Sequence, residues 1–278
     1  MDKPLTLAYS PCPNDTYIFA ALTNGLIDDV PEVRVALEDV ENLNNSAAKG
    51  DYELTKVSYG AIPSLMDKYR ILRAGGALGR GCGPLLVARK GTFTTLESLG
   101  DKLIAIPGER TTAFMLLRLA MGLTPPIIGM RFDKIVEAVS KGTVDAGLII
   151  HESRFTYQND GLVEIVDLGD WWESVSGMPI PLGAILVRND LDDTRAAEID
   201  DAIRRSLKFA RENDDTIIGY VREHAFEMDD AVMRKHIDLY VNEFSDDVGD
   251  EGIAAVRELF KRAHAAGILP DPMEPKFV

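Results

Sequence analysis

Two short segments do most to restrict what this chain can fold into: Gly83-Pro84-Leu85-Leu86-Val87-Ala88-Arg89 and Leu182-Gly183-Ala184-Ile185-Leu186-Val187-Arg188. Each is a glycine followed by an apolar run and an arginine, and the stretch between them has its own strand-helix alternation. That arrangement predicts two crossover strands and a second α/β lobe inserted into a first, with lobe 1 built from residues 1–86 and 188–278 and lobe 2 from residues 87–187. An internal echo agrees. Ala47-Ala48-Lys49-Gly50 leads through Glu53 to a strand pattern ending at Ser58, and Val139-Ser140-Lys141-Gly142 leads through Asp145 to one ending at His151. Equivalent strand ends thus deliver a polar residue from each lobe into one cleft.

Around this frame the pattern predicts strands at residues 5–9, 33–37, 54–58, 70–74 and 102–106, with helices at 16–24, 43–49, 61–68, 112–121 and 132–140. Asn14 or Asp15 is a natural N-cap for the first helix, and Gly25 its C′ residue. The alternation implies parallel sheets with crossovers. Nine residues, Gly75 to Gly83, hold so many glycines that they read as a loop or a close backbone approach. Beyond Asp192 the chain is helical, with acidic starts at Asp192-Asp193, Asp214-Asp215 and Asp229-Asp230. These helices are expected to brace the first lobe. His224, His236 and His264 lie in charged helical stretches and read as surface or helix-flank residues.

A formal charge of −15 argues against a nucleic-acid or anionic-membrane partner, so an acidic small-molecule ligand would need local donors. His151 ends the apolar run Val144-Asp145-Ala146-Gly147-Leu148-Ile149-Ile150, where an imidazole is either a cleft-facing base or a core histidine bonded to backbone. Thr111 and Thr112 follow Ile106-Pro107-Gly108-Glu109-Arg110; they read as plain N-capping or as an anion site at a helix start. Asn14 and Asp15 carry the same ambiguity. Lys56 and Ser58 share one strand face, either toward the cleft or on an exposed edge. Cys12 and Cys82 read as reduced loop thiols, and Trp171-Trp172 as an aromatic cover or a wedge between helix and sheet. No His-Glu-x-x-His, Cys-x-x-Cys or calcium-loop pattern occurs, so neither metal nor cofactor is expected. The first residues lack an apolar leader and no apolar run reaches membrane-spanning length, which predicts a cytoplasmic protein.

Several motifs together are specific: Ser10-Pro11-Cys12-Pro13-Asn14-Asp15-Thr16, Lys56-Val57-Ser58, Gly79-Arg80-Gly81-Cys82-Gly83-Pro84-Leu85, Thr111-Thr112-Ala113 and His151-Glu152-Ser153-Arg154-Phe155-Thr156-Tyr157. From Leu5 to about Arg188 the chain closely resembles the 1,4-dihydroxy-6-naphthoate synthase family of the futalosine route to menaquinone. The resemblance implies a type II periplasmic-binding-protein-like α/β fold used as an enzyme. It also implies cleavage of cyclic dehypoxanthinyl futalosine, with His151 matching the family's proton-abstracting histidine. Lys56, Val57, Ser58, Thr111 and Thr112 match its substrate-contacting segments. A chorismate dehydratase of the same pathway and a non-catalytic solute-binding protein are the competing readings. The assembly state is open, a homodimer being one option.

Overall fold

The computed structural model describes residues 4–226 and 229–278. In chain order it begins with β1 (Leu5–Tyr9), α1 (Pro13–Thr23), β2 (Val33–Leu37), α2 (Val40–Lys49), β3 (Leu54–Ser58), β4 (Tyr69–Ile71) and β5 (Ala77–Gly79). It continues through β6 (Leu85–Arg89), β7 (Ile104–Ile106), α3 (Thr112–Met121), β8 (Ile127–Gly129), α4 (Ile135–Ser140), β9 (Ala146–Ile149), α5 (Ser153–Thr156), β10 (Leu162–Asp167) and α6 (Leu168–Ser176). After β11 (Ile180–Arg188) come α7 (Asp193–Glu212), α8 (Asp214–His224), α9 (Asp230–Tyr240), α10 (Glu243–Asp246) and α11 (Gly249–Ala265).

Two sheets result. One has the order β2-β1-β3-β11-β4 with β5 also on β11, and the other the order β10-β6-β9-β7-β8. Helix crossovers make β1, β2 and β3 parallel to each other, and likewise β7, β8 and β9. The two glycine-apolar-arginine segments depart from the expected parallel arrangement. β11 runs antiparallel to β3, β4 and β5, and β6 antiparallel to β9 and β10. The registers give the reason: Gly183 lies beside Ser58 and Leu85 beside Ile149, so each strand enters its sheet at the cleft end and runs away from it. A chain that passes from one sheet to the other at these ends enters each sheet in this direction.

Three apolar clusters hold the layers. One lies under the first sheet against α1, α7, α8 and α9, with Phe19, Ile185, Ile203 and Val221 at its centre. Another sits between α4 and the second sheet, where Gly147 leaves room for Ile135 and Val139. The largest is continuous across the molecule, joining Val57 and Leu186 of the first sheet to Leu86 and Leu148 of the second through α3, α6 and α11. Trp172 is fully buried in it with its indole N–H on the Pro179 carbonyl at 3.0 Å, so this tryptophan is a wedge. Residues 61–68 form no α-helix. Amides of Ala61, Ile62, Ser64 and Leu65 each bond three residues back, around the N–H-less Pro63, giving a 3-10 turn at Ile62–Ser64. The glycine run does bring backbones together: a Cβ on Gly83 would lie 2.2 Å from the Gly169 nitrogen.

Candidate active site

The strand ends and helix starts of the two sheets converge on one cavity of about 700 Å³ including its open mouth. Asn14, Asp15, Lys56, Val57, Ser58, Thr111, Thr112 and His151 all line it, joined by Ser10, Cys82, Leu182, Gly183 and Tyr240 among others. Neither Asn14 nor Asp15 caps α1. Cys12 holds the N-cap position without a side-chain bond, and Pro13 begins the helix, as its fixed φ and missing N–H permit.

Asp15 instead organises the first loop. Its Oδ2 accepts from the Ser10 hydroxyl at 2.7 Å and the Ser10 amide at 3.3 Å, while its Oδ1 accepts from Asn14 Nδ2 at 2.8 Å and Lys56 Nζ at 2.6 Å. Both members of the ion pair are buried, at 7% and 3% side-chain exposure. Lys56 also donates to the Gly75 carbonyl at 3.3 Å, so the lysine is neutralised within the wall. Ser58 is set by Asn44 of α2, whose Oδ1 accepts the Ser58 amide at 2.9 Å.

From the second sheet, Thr111 is the N-cap of α3: its hydroxyl accepts from the Phe114 amide at 3.2 Å and donates to the Gly108 carbonyl at 2.7 Å. Thr112 does something else. Its hydroxyl accepts from the Gly60 amide at 3.0 Å and donates to the Leu182 carbonyl at 2.8 Å, stitching α3 to the first sheet's end of the cleft. The fit there is tight, since a Cβ on Gly60 would stand 2.7 Å from the Thr111 carbonyl oxygen.

His151 follows β9 with φ 57, a left-handed conformation that costs most residues energy. The following segment over-determines it: Arg154 donates to the Gly83 carbonyl at 2.6 Å and pairs with Asp167 at 2.5 Å. Phe132 meets the ring edge-on at 4.9 Å between centroids, and Nε2 has no hydrogen-bond partner among the described residues. Burial pushes its pKa down to about 4, opposed by the Asp15 carboxylate and assisted by Lys56. Near neutral pH the imidazole is therefore neutral, with one ring nitrogen free to accept a proton.

His236, expected at the surface, is fully buried on α9 with its ring against His151 at 6.0 Å and its Nε2 on Asn14 Oδ1 at 2.9 Å. Burial holds its pKa well below the usual value, with His151 and Lys56 adding to the effect. The signal was in the sequence: Met233, His236, Ile237 and Tyr240 follow the spacing of a buried helical stripe. Charged neighbours hid it. Cys12 and Cys82 are free thiols in loops, as expected, and both are buried. Cys12, His151 and Glu152 bring a thiol, an imidazole and a carboxylate within 4.8 Å, but burial and Glu152 push the thiol well above its ordinary pKa. The thiol therefore rests protonated near neutral pH.

Two histidines held neutral make stability pH-dependent. Unfolding returns them to a pKa near 6.5, so the unfolded chain binds protons that the folded one refuses. Their contribution is fully present above about pH 6.5 and declines as pH falls toward about 4. Asp39 and Glu41, raised by burial, act in the opposite sense nearer the carboxylate range. Urea midpoints should drop between about pH 7 and 5.5, ahead of carboxylate protonation; a flat series over that interval would contradict this.

The family model described as "Menaquinone biosynthesis" matches residues 5–265. A protein of Thermus thermophilus named 1,4-dihydroxy-6-naphthoate synthase is 49% identical over 277 residues, covering 99% of this chain and all of that one. Its namesake in Streptomyces coelicolor is 45% identical, covering 96% and 95% of the two chains. Among solved structures, the periplasmic aliphatic sulphonate binding protein of Escherichia coli superposes with a TM-score of 0.68 at 12% identity, covering 99% of this chain and 91% of its own. At that identity the likeness establishes the periplasmic-binding-protein-like fold alone. No helix among the described residues is long and apolar enough to cross a membrane.

Proposed function

The chain belongs to the menaquinone-biosynthesis family of enzymes, and from that premise we propose that it is a lyase splitting cyclic dehypoxanthinyl futalosine into 1,4-dihydroxy-6-naphthoate and a sugar-derived fragment, with His151 removing the proton that starts the cleavage. The observation that carries this reading is the half-buried His151 on the wall of a cavity formed by both sheets, its Nε2 without a hydrogen-bond partner among the described residues.

Cleavage of the carbon–carbon bond to the sugar leaves an aromatic naphthalenediol, so aromatisation drives the reaction. The protein has to supply a base, an orienting cleft and donors for developing oxyanion charge. His151 takes the proton. Asp15, the neighbouring carboxylate that favours its charged form, steadies the imidazolium. The first amides of α3, at Thr112 and Ala113 on the cavity wall, have no intrahelical acceptor and suit an anionic oxygen. A base with so low a pKa is always ready near neutrality but weak, which leaves acidification of the substrate proton to those donors.

Thr112 serves closure. Thr112→Ala removes both stitches to Gly60 and Leu182, so the closed cleft loses stability that substrate binding must then provide. KM is expected to rise about tenfold with kcat changed by less than about threefold. Steady-state kinetics decide it, and an unchanged KM with a collapsed kcat would count against this role.

Incubation of the protein with cyclic dehypoxanthinyl futalosine followed by chromatography tests the function directly. Dihydroxynaphthoate is the expected product. Formation of a carboxyvinyl benzoate from chorismate would assign the dehydratase activity, and substrate recovered unchanged would leave a binding protein.

A further inference from the structure

His236 stands at the end of a chain of bonds with one consistent assignment. Asp15 accepts only, so the Asn14 amide nitrogen faces it at 2.8 Å and the Asn14 carbonyl faces His236 Nε2 at 2.9 Å. Nε2 must therefore carry the hydrogen. That leaves a bare lone pair on Nδ1, a buried atom with no hydrogen-bond partner among the described residues. Lys56, bonded to the same Asp15 oxygen, fixes the far end of the chain.

This ring lies nearly parallel to His151, at 23° and 6.0 Å, while Phe132 packs on His151 in a tilted, edge-type contact at 4.9 Å. Tyr240 of the same helix is 4.6 Å from His236, and Phe155 of α5 is 6.5 Å away. The charged or titratable groups facing the pair are Asp15 on α1, Lys56 on β3, Cys12 before α1, Glu152 after β9 and Tyr240 on α9. A second cation on His236 would sit beside Lys56 with its new N–H unpaired.

On the reading of His151 as the base, we infer that His236 is its positioning residue: a neutral imidazole, held in one tautomer by Asn14, whose face backs the His151 ring and stabilises it as it becomes an imidazolium. Attraction between a cation and an aromatic face supplies the stabilisation, and the stack keeps the ring aimed.

Three variants separate face from hydrogen bond. His236→Phe keeps a face and gives up the N–H; His236→Gln keeps an N–H for Asn14 and gives up the face; His236→Ala removes both. The expected result is a kcat about a hundredfold lower for Gln and Ala with KM within about threefold, and a kcat within about tenfold of parent for Phe. The acid limb of the kcat/KM profile should move to lower pH in Gln and Ala, because the imidazolium loses the face that stabilised it, and stay in place for Phe. A purely structural role would lower activity in step with the folded fraction and, by letting water reach His151, move that limb to higher pH instead. The inference is overturned if Phe loses as much kcat as Gln, if Gln and Ala match the parent, or if only KM responds; where Ala fails to fold, the Phe and Gln pair decides. His151→Ala run in parallel keeps the two claims apart. An active His151→Ala defeats the base reading itself, whereas a dead His151→Ala beside parent-like His236 variants defeats only the claim for His236.

Discussion

His151→Ala is expected to fold as the parent does and to lose about a thousandfold in kcat on cyclic dehypoxanthinyl futalosine. The ring packs against Phe132 and His236, and its Nε2 bonds to no other described residue. Removing it takes little from the fold. What it removes is a cavity-lining imidazole that burial keeps from protonating near neutral pH, a place in the wall that His236 does not share. Single-turnover formation of dihydroxynaphthoate, with thermal melting as the control for folding, measures both halves. Product appearing at a near-parental rate from the variant would end the assignment of His151 as base.

The second large effect is on stability. Asp15→Ala leaves the Lys56 ammonium buried with the Gly75 carbonyl at 3.3 Å as its remaining partner among the described residues, and takes away the acceptor that Asn14 Nδ2 and the Ser10 loop share. Breaking a buried pair from one side costs about 3–5 kcal/mol, because the surviving charge is desolvated without compensation. For a chain of this size that is a fall in melting temperature on the order of 10 °C. The double variant Asp15→Ala/Lys56→Met removes the stranded charge and should recover a good part of the loss. If the double variant melts as low as the sum of the two singles, the pair is not the source of the stability.

Much of the site was legible because its residues sit where periodic patterns stop. Ser58 ends a strand whose bounds were read without error, and Thr112 begins a helix whose observed span is the expected one. Breaks in periodicity are local, and local signals survive in one sequence. Strand direction is different: nothing within Ile180–Arg188 says whether it runs with or against β3, since the answer depends on where the chain crosses between lobes. The N-cap reading of Asn14 or Asp15 failed locally as well, since Pro13 moved the helix start forward and left both inside the helix on the cavity wall. His236 and Asn44 were missed for another reason. Each is a polar residue on the buried face of a helix, visible only if the stripe is traced first and its polar member then questioned.

The left-handed backbone at position 151 ties a conformational cost to the residue on which the proposed chemistry rests. A side chain in that conformation sits about 1–2 kcal/mol above what glycine would need there. His151→Gly would relax the backbone while removing the imidazole, so on the base reading it is expected to melt no lower than His151→Ala and to lose turnover to the same extent. Strain and proposed chemistry then part company at a single position, where one substitution relieves the first by giving up the second.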